Sequence, residues 1–218
     1  PQSSGAGFIG RGVHSSTVQR IYNQFLVSQS LQIQTQSQAL DSNYAYIKQL
    51  DNMLGDSASG LSPALQNFFS AVQDVAQNPS VIPSRQAMLS NAEALVARFQ
   101  SMDQRMSQIR EGVNAQIASS VDEINSLASQ VAEMNHQILV MESSVAGQPA
   151  NDMLDQRDEL INQLSKIINT NTVKQSDGSV NVYVGNGGAL VVGAQALSLQ
   201  AINSPNDPGN LTVGLVSR

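Results

Sequence analysis

The chain contains no cysteine. That excludes a disulfide framework, a thiolate nucleophile and a cysteine-based zinc site, and fits either a reducing cytosol or an exported protein rigid without cross-links. Charge is also scarce, at 13% of residues where a globular domain carries about 25%. Ser, Gln and Asn fill the deficit, so helix surfaces read as polar but nearly uncharged. Such surfaces pack against neighbours without like-charge repulsion, unless the bias is compositional drift. Positive charge is scarcest: the net charge is −6 with a pI near 4.7, against a nucleic-acid partner or an anionic membrane surface, since affinity for polyphosphate comes from Lys and Arg. No run of 18 apolar residues is available to span a membrane, and no signal peptide is visible. The chain opens at Pro1 without Met and closes at Arg218 in a strand-like run, as expected of a fragment.

What the sequence does have is length of helical pattern. Residues 1–16 read as an extended Gly- and Ser-rich connector. Ser16 or Thr17 is placed to cap a helix over 17–54, roughly 55 Å long. Leu26, Ile33, Leu40, Ile47 and Leu54 repeat every seventh place there. Gln29, Gln36 and Asn43 occupy the other core-facing row, and a stripe this narrow belongs to a seam between helices. After a break at Gly55–Gly60, Ser62 as cap and Pro63 as first residue open a helix over 63–77. Its Leu65, Phe68, Phe69, Val72 and Ala76 line one side, and the adjacent phenylalanines are expected to anchor it to the long rods.

A third helix is expected over 83–145, about 90 Å long. Its seam includes Phe99, Met106, Ile109, Val113, Ile124, Val131 and Ile138. The 4-3 spacing falters between Val113 and Val121, beside Gly112, as in a stutter that locally unwinds a supercoil. A bend or a change of packing partner is expected there. Since the first helix cannot cover the seam of the longer one, a further helix is expected from missing sequence or a neighbouring subunit. A fourth helix is read over 152–169, with Asn151 as cap and Asp152 favoured by the helix dipole. From 171 to 218 the period becomes 2: Val180, Val182 and Val184 alternate with Asn181 and Tyr183 after an Asp177-Gly178 turn signal. The fold class is therefore mainly α, a long-helix rod or bundle domain over 17–170 followed by the start of a β-rich domain, with the two segregated.

No catalytic, cofactor-binding or metal-binding residues are assigned, and no cofactor is expected. Gly5-Ala6-Gly7-Phe8-Ile9-Gly10 matches G-x-G-x-x-G, but no strand precedes it and no acidic residue lies about 20 positions on. His14 lies in the connector. His136, beside Asn135, has no ligand spacing and is read as solvent-facing or at a subunit contact. Asp152, Asp155, Asp158 and Glu159 crowd one segment without the Ca²⁺ loop pattern; dipole complementation and a local Arg157 contact account for them.

Taken together, these landmarks resemble the FlgK family, the first hook-associated proteins of bacterial flagella. The similarity runs through Gly10-Arg11-Gly12-Val13, Ile21-Tyr22-Asn23-Gln24-Phe25-Leu26, Leu50-Asp51-Asn52-Met53-Leu54, Leu65-Gln66-Asn67-Phe68-Phe69 and Ile124-Asn125-Ser126-Leu127-Ala128. Most specific is Asn151-Asp152-Met153-Leu154-Asp155-Gln156-Arg157-Asp158-Glu159-Leu160, similar to the family's N-D-L-L-D-Q-R-D-x-L signature. The resemblance implies a secreted, extracellular structural protein at the junction of hook and filament, exported through the flagellar channel and acting by helix–helix subunit packing rather than as an enzyme. Implied partners are copies of itself in a ring, the hook protein, the next hook-associated protein on the filament side and an export chaperone, with no nucleic acid and no membrane. The chain would be the N-terminal part of the rod domain. Alternatives are an enzyme carried on the flagellum, for example a muralytic one, with its site in a missing C-terminal part, or another axial protein such as the third hook-associated protein or flagellin. A coiled-coil signalling module fits less well, because of the switch from helix to strand.

Overall fold

A computed structural model describes residues 23–55, 60–144, 151–185 and 187–216. Four helices come first: α1 (Gln24–Gly55), α2 (Leu61–Gln77), α3 (Ile82–Ser144) and α4 (Asn151–Ile167). Six strands follow: β1 (Thr170–Lys174), β2 (Val180–Val184), β3 (Gly188–Val192), β4 (Gln195–Ala196), β5 (Leu199–Asn203) and β6 (Leu211–Leu215). The fold is mainly α with an antiparallel β-rich end, as the change of period predicts. The expected connector over 1–16 and the expected cap at Ser16 or Thr17 lie outside the described residues. Within them, Asn23 Oδ1 accepts the Leu26 N–H at 3.3 Å, satisfying a donor of the first described turn.

Two local expectations need correcting. α2 begins at Leu61 after Gly60, which makes no side-chain capping bond, so Ser62 and Pro63 lie inside the first turn. Pro is tolerated there because the first N–H groups have no helical acceptor. The phenylalanines also divide their work. They meet edge to face at 5.5 Å between centroids, but Phe68 is half-buried while Phe69 is 63% exposed. Adjacent residues on a helix point about 100° apart, so they cannot both face one partner. The helix closes on Asn78, whose N–H reaches Asp74 O at 3.0 Å, and Arg85 Nε donates to Pro79 O across the turn into α3.

α3 spans 63 residues, about 95 Å, and continues through Gly112. Its environment changes along its length. Among its expected seam residues, Phe99 and Met106 are exposed, Ile109 and Val113 half-buried, and Ile124, Val131 and Ile138 buried. α2 packs on α3 and α4 crosses its later half. There Val121, Ile124, Leu127, Ala128 and Val131 join Ile161 and Leu164 of α4 in the core. α1 meets that core through buried Leu31 and half-buried Val27, and Thr35 Oγ1 donates to Ser165 O of α4 at 2.6 Å.

Strands β1 to β4 form an antiparallel meander in sequence order, with a bulge between Val182 and Tyr183 of β2. β5 and β6 pair separately as a ribbon. Val180, Val182, Val184, Leu190, Val191 and Leu199 enter the same core as α3 and α4, so the core crosses the expected boundary at residue 170. β2 is buried on both faces, Asn181 included, because its polar side chain works inside: Asn181 Oδ1 accepts the Gly193 N–H at 2.8 Å.

The β1–β2 turn is built on Asp177, whose Oδ1 accepts from Ser179 Oγ at 2.6 Å and Ser179 N at 3.0 Å. These bonds, that from the Ser179 hydroxyl foremost, hold the Asp177 carboxyl below its ordinary range. A lowered folded-state pKa gives a contribution fully present above the ordinary aspartate value near about 4 and lost as pH falls through the folded value. An NMR titration of the Ser179 amide is therefore expected to show the turn loosening below about pH 4. Asp177→Asn should abolish that inflection; an identical acid limb in the variant would show that the carboxylate is not its cause.

Candidate functional site: an exposed seam over an asparagine and arginine clamp

The heptad row of α1 faces outward. Leu26, Ile33, Leu40, Ile47 and Leu54 are 50 to 69% exposed. Leu26 and Ile33 border a shallow groove with Gln29, Ser30, Gln34, Ser37 and Gln38, an uncharged apolar-polar strip. α3 carries a second exposed row before Gly112, formed by Ile82, Leu89, Val96, Phe99 and Met106. Covering each large aliphatic side chain would gain about 1.5–3 kcal/mol. The expected seam thus splits: its α1 residues and the early α3 residues are open, and its late α3 residues lie in the chain's own core.

Beneath the late half of α3 lies a polar node. Arg157 of α4 is 3% exposed. Its Nη1 donates to Gly178 O at 2.8 Å and to Asn135 Oδ1 at 3.2 Å, and its Nε lies 4.0 Å from an Asp158 oxygen. Asn135, also buried, on α3, accepts the Val180 N–H at 3.1 Å and donates to Val180 O at 2.9 Å and to Gly193 O at 2.7 Å. One carboxamide and one guanidinium therefore tie α3 and α4 to the turns at either end of β2 and β3. Both turns use glycine in the left-handed region, Gly178 at φ 83° and Gly193 at φ 56°. At Gly178 a Cβ would also stand 2.8 Å from a Glu142 carboxylate oxygen.

Of the signature residues, only Arg157 enters this node as a buried group. Asn151, Leu154 and Asp158 are half-buried, and Asp152, Asp155 and Gln156 are exposed. Asp152 stands in the first turn of α4 and Lys166 in its last, matching the helix dipole. Glu159 accepts from Gln163 and Asn162, which hold its carboxyl below the ordinary range, Gln163 foremost.

The sequence reading missed the asparagines of α3 as a set. Asn125 donates to Leu199 O at 2.9 Å and accepts Leu199 N–H at 2.8 Å. Asn114 donates to Gly209 O at 2.9 Å and accepts Leu211 N–H at 2.9 Å. With Asn135 they form a ladder in which each carboxamide imitates a neighbouring strand. The available signal was their spacing of 11 and 10 residues, close to three helical turns, for a residue that disfavours helix interiors.

No group of three or more His, Asp or Glu among the described residues is arranged to hold a metal. His136 is exposed; His14 and the glycine motif at 5–10 lie outside the described residues. No described helix is long and apolar enough to cross a membrane.

Arg157→Ala would leave Gly178 O and one Asn135 lone pair without their buried donor. It is expected to destabilise the chain by about 2–4 kcal/mol, read as a lowered denaturant midpoint. Arg157→Lys should recover only part of that, since the lysine nitrogen stops one bond short of the Nη1 position from which both bonds leave; a midpoint within error of wild type for Arg157→Ala would show that the node carries no stability.

Comparison with known proteins accords with this architecture. Residues 47–218 match the family model described as the flagellar hook-associated protein FlgK helical domain. The chain is 40% identical over 210 residues to flagellar hook-associated protein 1 of Salmonella typhimurium, covering 96% of this chain and 38% of the relative. The Escherichia coli protein of that name is 38% identical over the same length, again 96% of this chain and 38% of the relative. The solved structure of the flagellar hook junction protein FlgK from Burkholderia pseudomallei superposes with a TM-score of 0.79 at 36% identity, over 86% of this chain and 33% of that one. The chain thus spans about a third of the length of these relatives. With a family model covering most of its residues and relatives at this identity, the chain belongs to the FlgK family of flagellar hook-associated proteins.

Proposed function

We propose that this chain is the helical portion of a structural protein at the junction between flagellar hook and filament, acting by helix–helix packing between subunits. The observation that carries the reading is the outward heptad row Leu26, Ile33, Leu40, Ile47, Leu54. A strict seven-residue apolar repeat has its use in a helix–helix seam, and these side chains stand open on the described chain. The low charge density supports it, because like-charge repulsion between adjacent copies is small. The relatives are hook-associated and hook junction proteins, which supports this location.

In this reading residues 17–170 are the rod domain and 171–218 begin a β-rich domain braced on α3 by the asparagine ladder. The partners are further copies in a ring, the hook protein on one side, the next hook-associated protein on the other and an export chaperone before secretion. The place of action is the extracellular flagellum, and the role is not enzymatic. Electron microscopy of cells lacking the parent gene should show bare hooks, with flagellin shed into the medium; normal filaments would overturn the reading.

The double variant Ile33→Glu/Ile47→Glu is expected to leave the isolated chain's stability within about 0.5 kcal/mol per site, because both positions are exposed. In the parent protein it should fail to restore filaments to the deletion strain although the protein is exported. Full restoration would show that the α1 row is not an assembly surface.

A further inference from the structure

The two β elements are fastened to α3 by different physics. The four-stranded sheet inserts Val180, Val182, Val184, Leu190 and Val191 into the core, and its turns sit on the buried Asn135–Arg157 node. The β5–β6 ribbon buries Leu199 at its base, packs half-buried Ala201 on the same core and lays Leu215 beside Gly188 of β3. Farther out, Ile202 and Val213 are 42 and 43% exposed. Its attachment there is polar: Asn125 holds both backbone groups of Leu199, and Asn114 holds Gly209 O and Leu211 N–H near the turn. Both asparagines are only half-buried, so water can replace these bonds at little cost, unlike those of buried Asn135. A two-stranded ribbon is at best marginally stable by itself.

The ribbon also has a defined pivot. Leu197 N–H is tied to Leu190 O of the sheet at 2.8 Å, whereas Ser198 O is the first acceptor of the ribbon's own ladder, from Val216 N–H at 3.0 Å. On α3, Ile117, Ala118 and Val121 lie on the face between the two clamping asparagines and are half-buried or buried. We infer that the β5–β6 ribbon is a strap that lifts from α3 as one unit about Ser198, while the helices and the four-stranded sheet stay folded, and uncovers the apolar strip Ile117–Val121. The strap opens at a lower free energy than the four-stranded sheet, and Asn114 and Asn125 set how often it opens.

Hydrogen exchange of the whole chain tests this directly. Amides of β5 and β6 should exchange together, about tenfold or more faster than those of β2 and β3. In Asn114→Ala/Asn125→Ala the ribbon's exchange should rise by a further factor of about ten or more, with far-UV helicity and β2–β3 protection unchanged. Because the chain has no cysteine, Ala118→Cys provides a single thiol whose labelling rate should rise in parallel. Equal protection of β5–β6 and β2–β3 in the wild-type chain would overturn the proposal. So would a double variant that loses helicity or sheet protection along with the ribbon, or one that leaves both ribbon exchange and labelling of the introduced thiol unmoved.

Discussion

A β-strand laid against a helix has an edge of peptide groups that the helix backbone cannot satisfy, and this constraint organises the molecule. α3 meets it with side chains. Asn114, Asn125 and Asn135 each offer a donor and an acceptor at carboxamide spacing, and each takes an N–H and a C=O from the chain beside it. A buried peptide group without a partner costs as much as a lost hydrogen bond, so every clamp fixes register as well as satisfying polar groups. Sliding a strand by one residue would break both bonds at once and turn its apolar side chains away from the core.

The node at Asn135 shows why an arginine stands in the middle of α4. Asn135 Oδ1 already receives the Val180 N–H, and its remaining lone pair faces Arg157. The guanidinium then directs another donor at Gly178 O. A cation this deeply buried is tolerated because its charge meets oriented carbonyl dipoles and the nearby Asp158. Glycine suits position 178 beside this contact, since a side chain there would displace Glu142 and strain a backbone already at positive φ.

Much of this was legible in the residues. Periodicity placed all four helices within a few residues where the chain is described, and the change to alternation located the strands, because both signals come from one apolar face that must be buried. The tightest motif, around Arg157, stood out as a motif, yet its role did not, because the partners Asn135 and Gly178 lie 22 and 21 residues away in opposite directions. The asparagine ladder escaped for a related reason: polar residues in a helix normally read as surface, and only tertiary contact turns them inward. The heptad row was legible as a seam, but periodicity states that a helix partner is wanted and does not say which chain brings it. Phe69 misled because two adjacent aromatic residues raise apolar content without sharing a direction.

These features give the two halves of the long helix different consequences. After Gly112 its apolar positions from Val121 to Ile138 lie in the chain's own core, with Leu139, Val140 and Met141 exposed beyond them, and polar clamps secure the strands around the buried ones. Before Gly112, and along the heptad row of α1, many large apolar side chains stay open, while Gln, Ser and Asn around them keep the surface wettable without adding net charge. A row of widely spaced aliphatic side chains among neutral polar ones gains little by nonspecific collapse, since no large continuous patch forms. It gains much more against a helix whose knobs match a seven-residue repeat. Selectivity in such a seam then comes from spacing and shape rather than from charge.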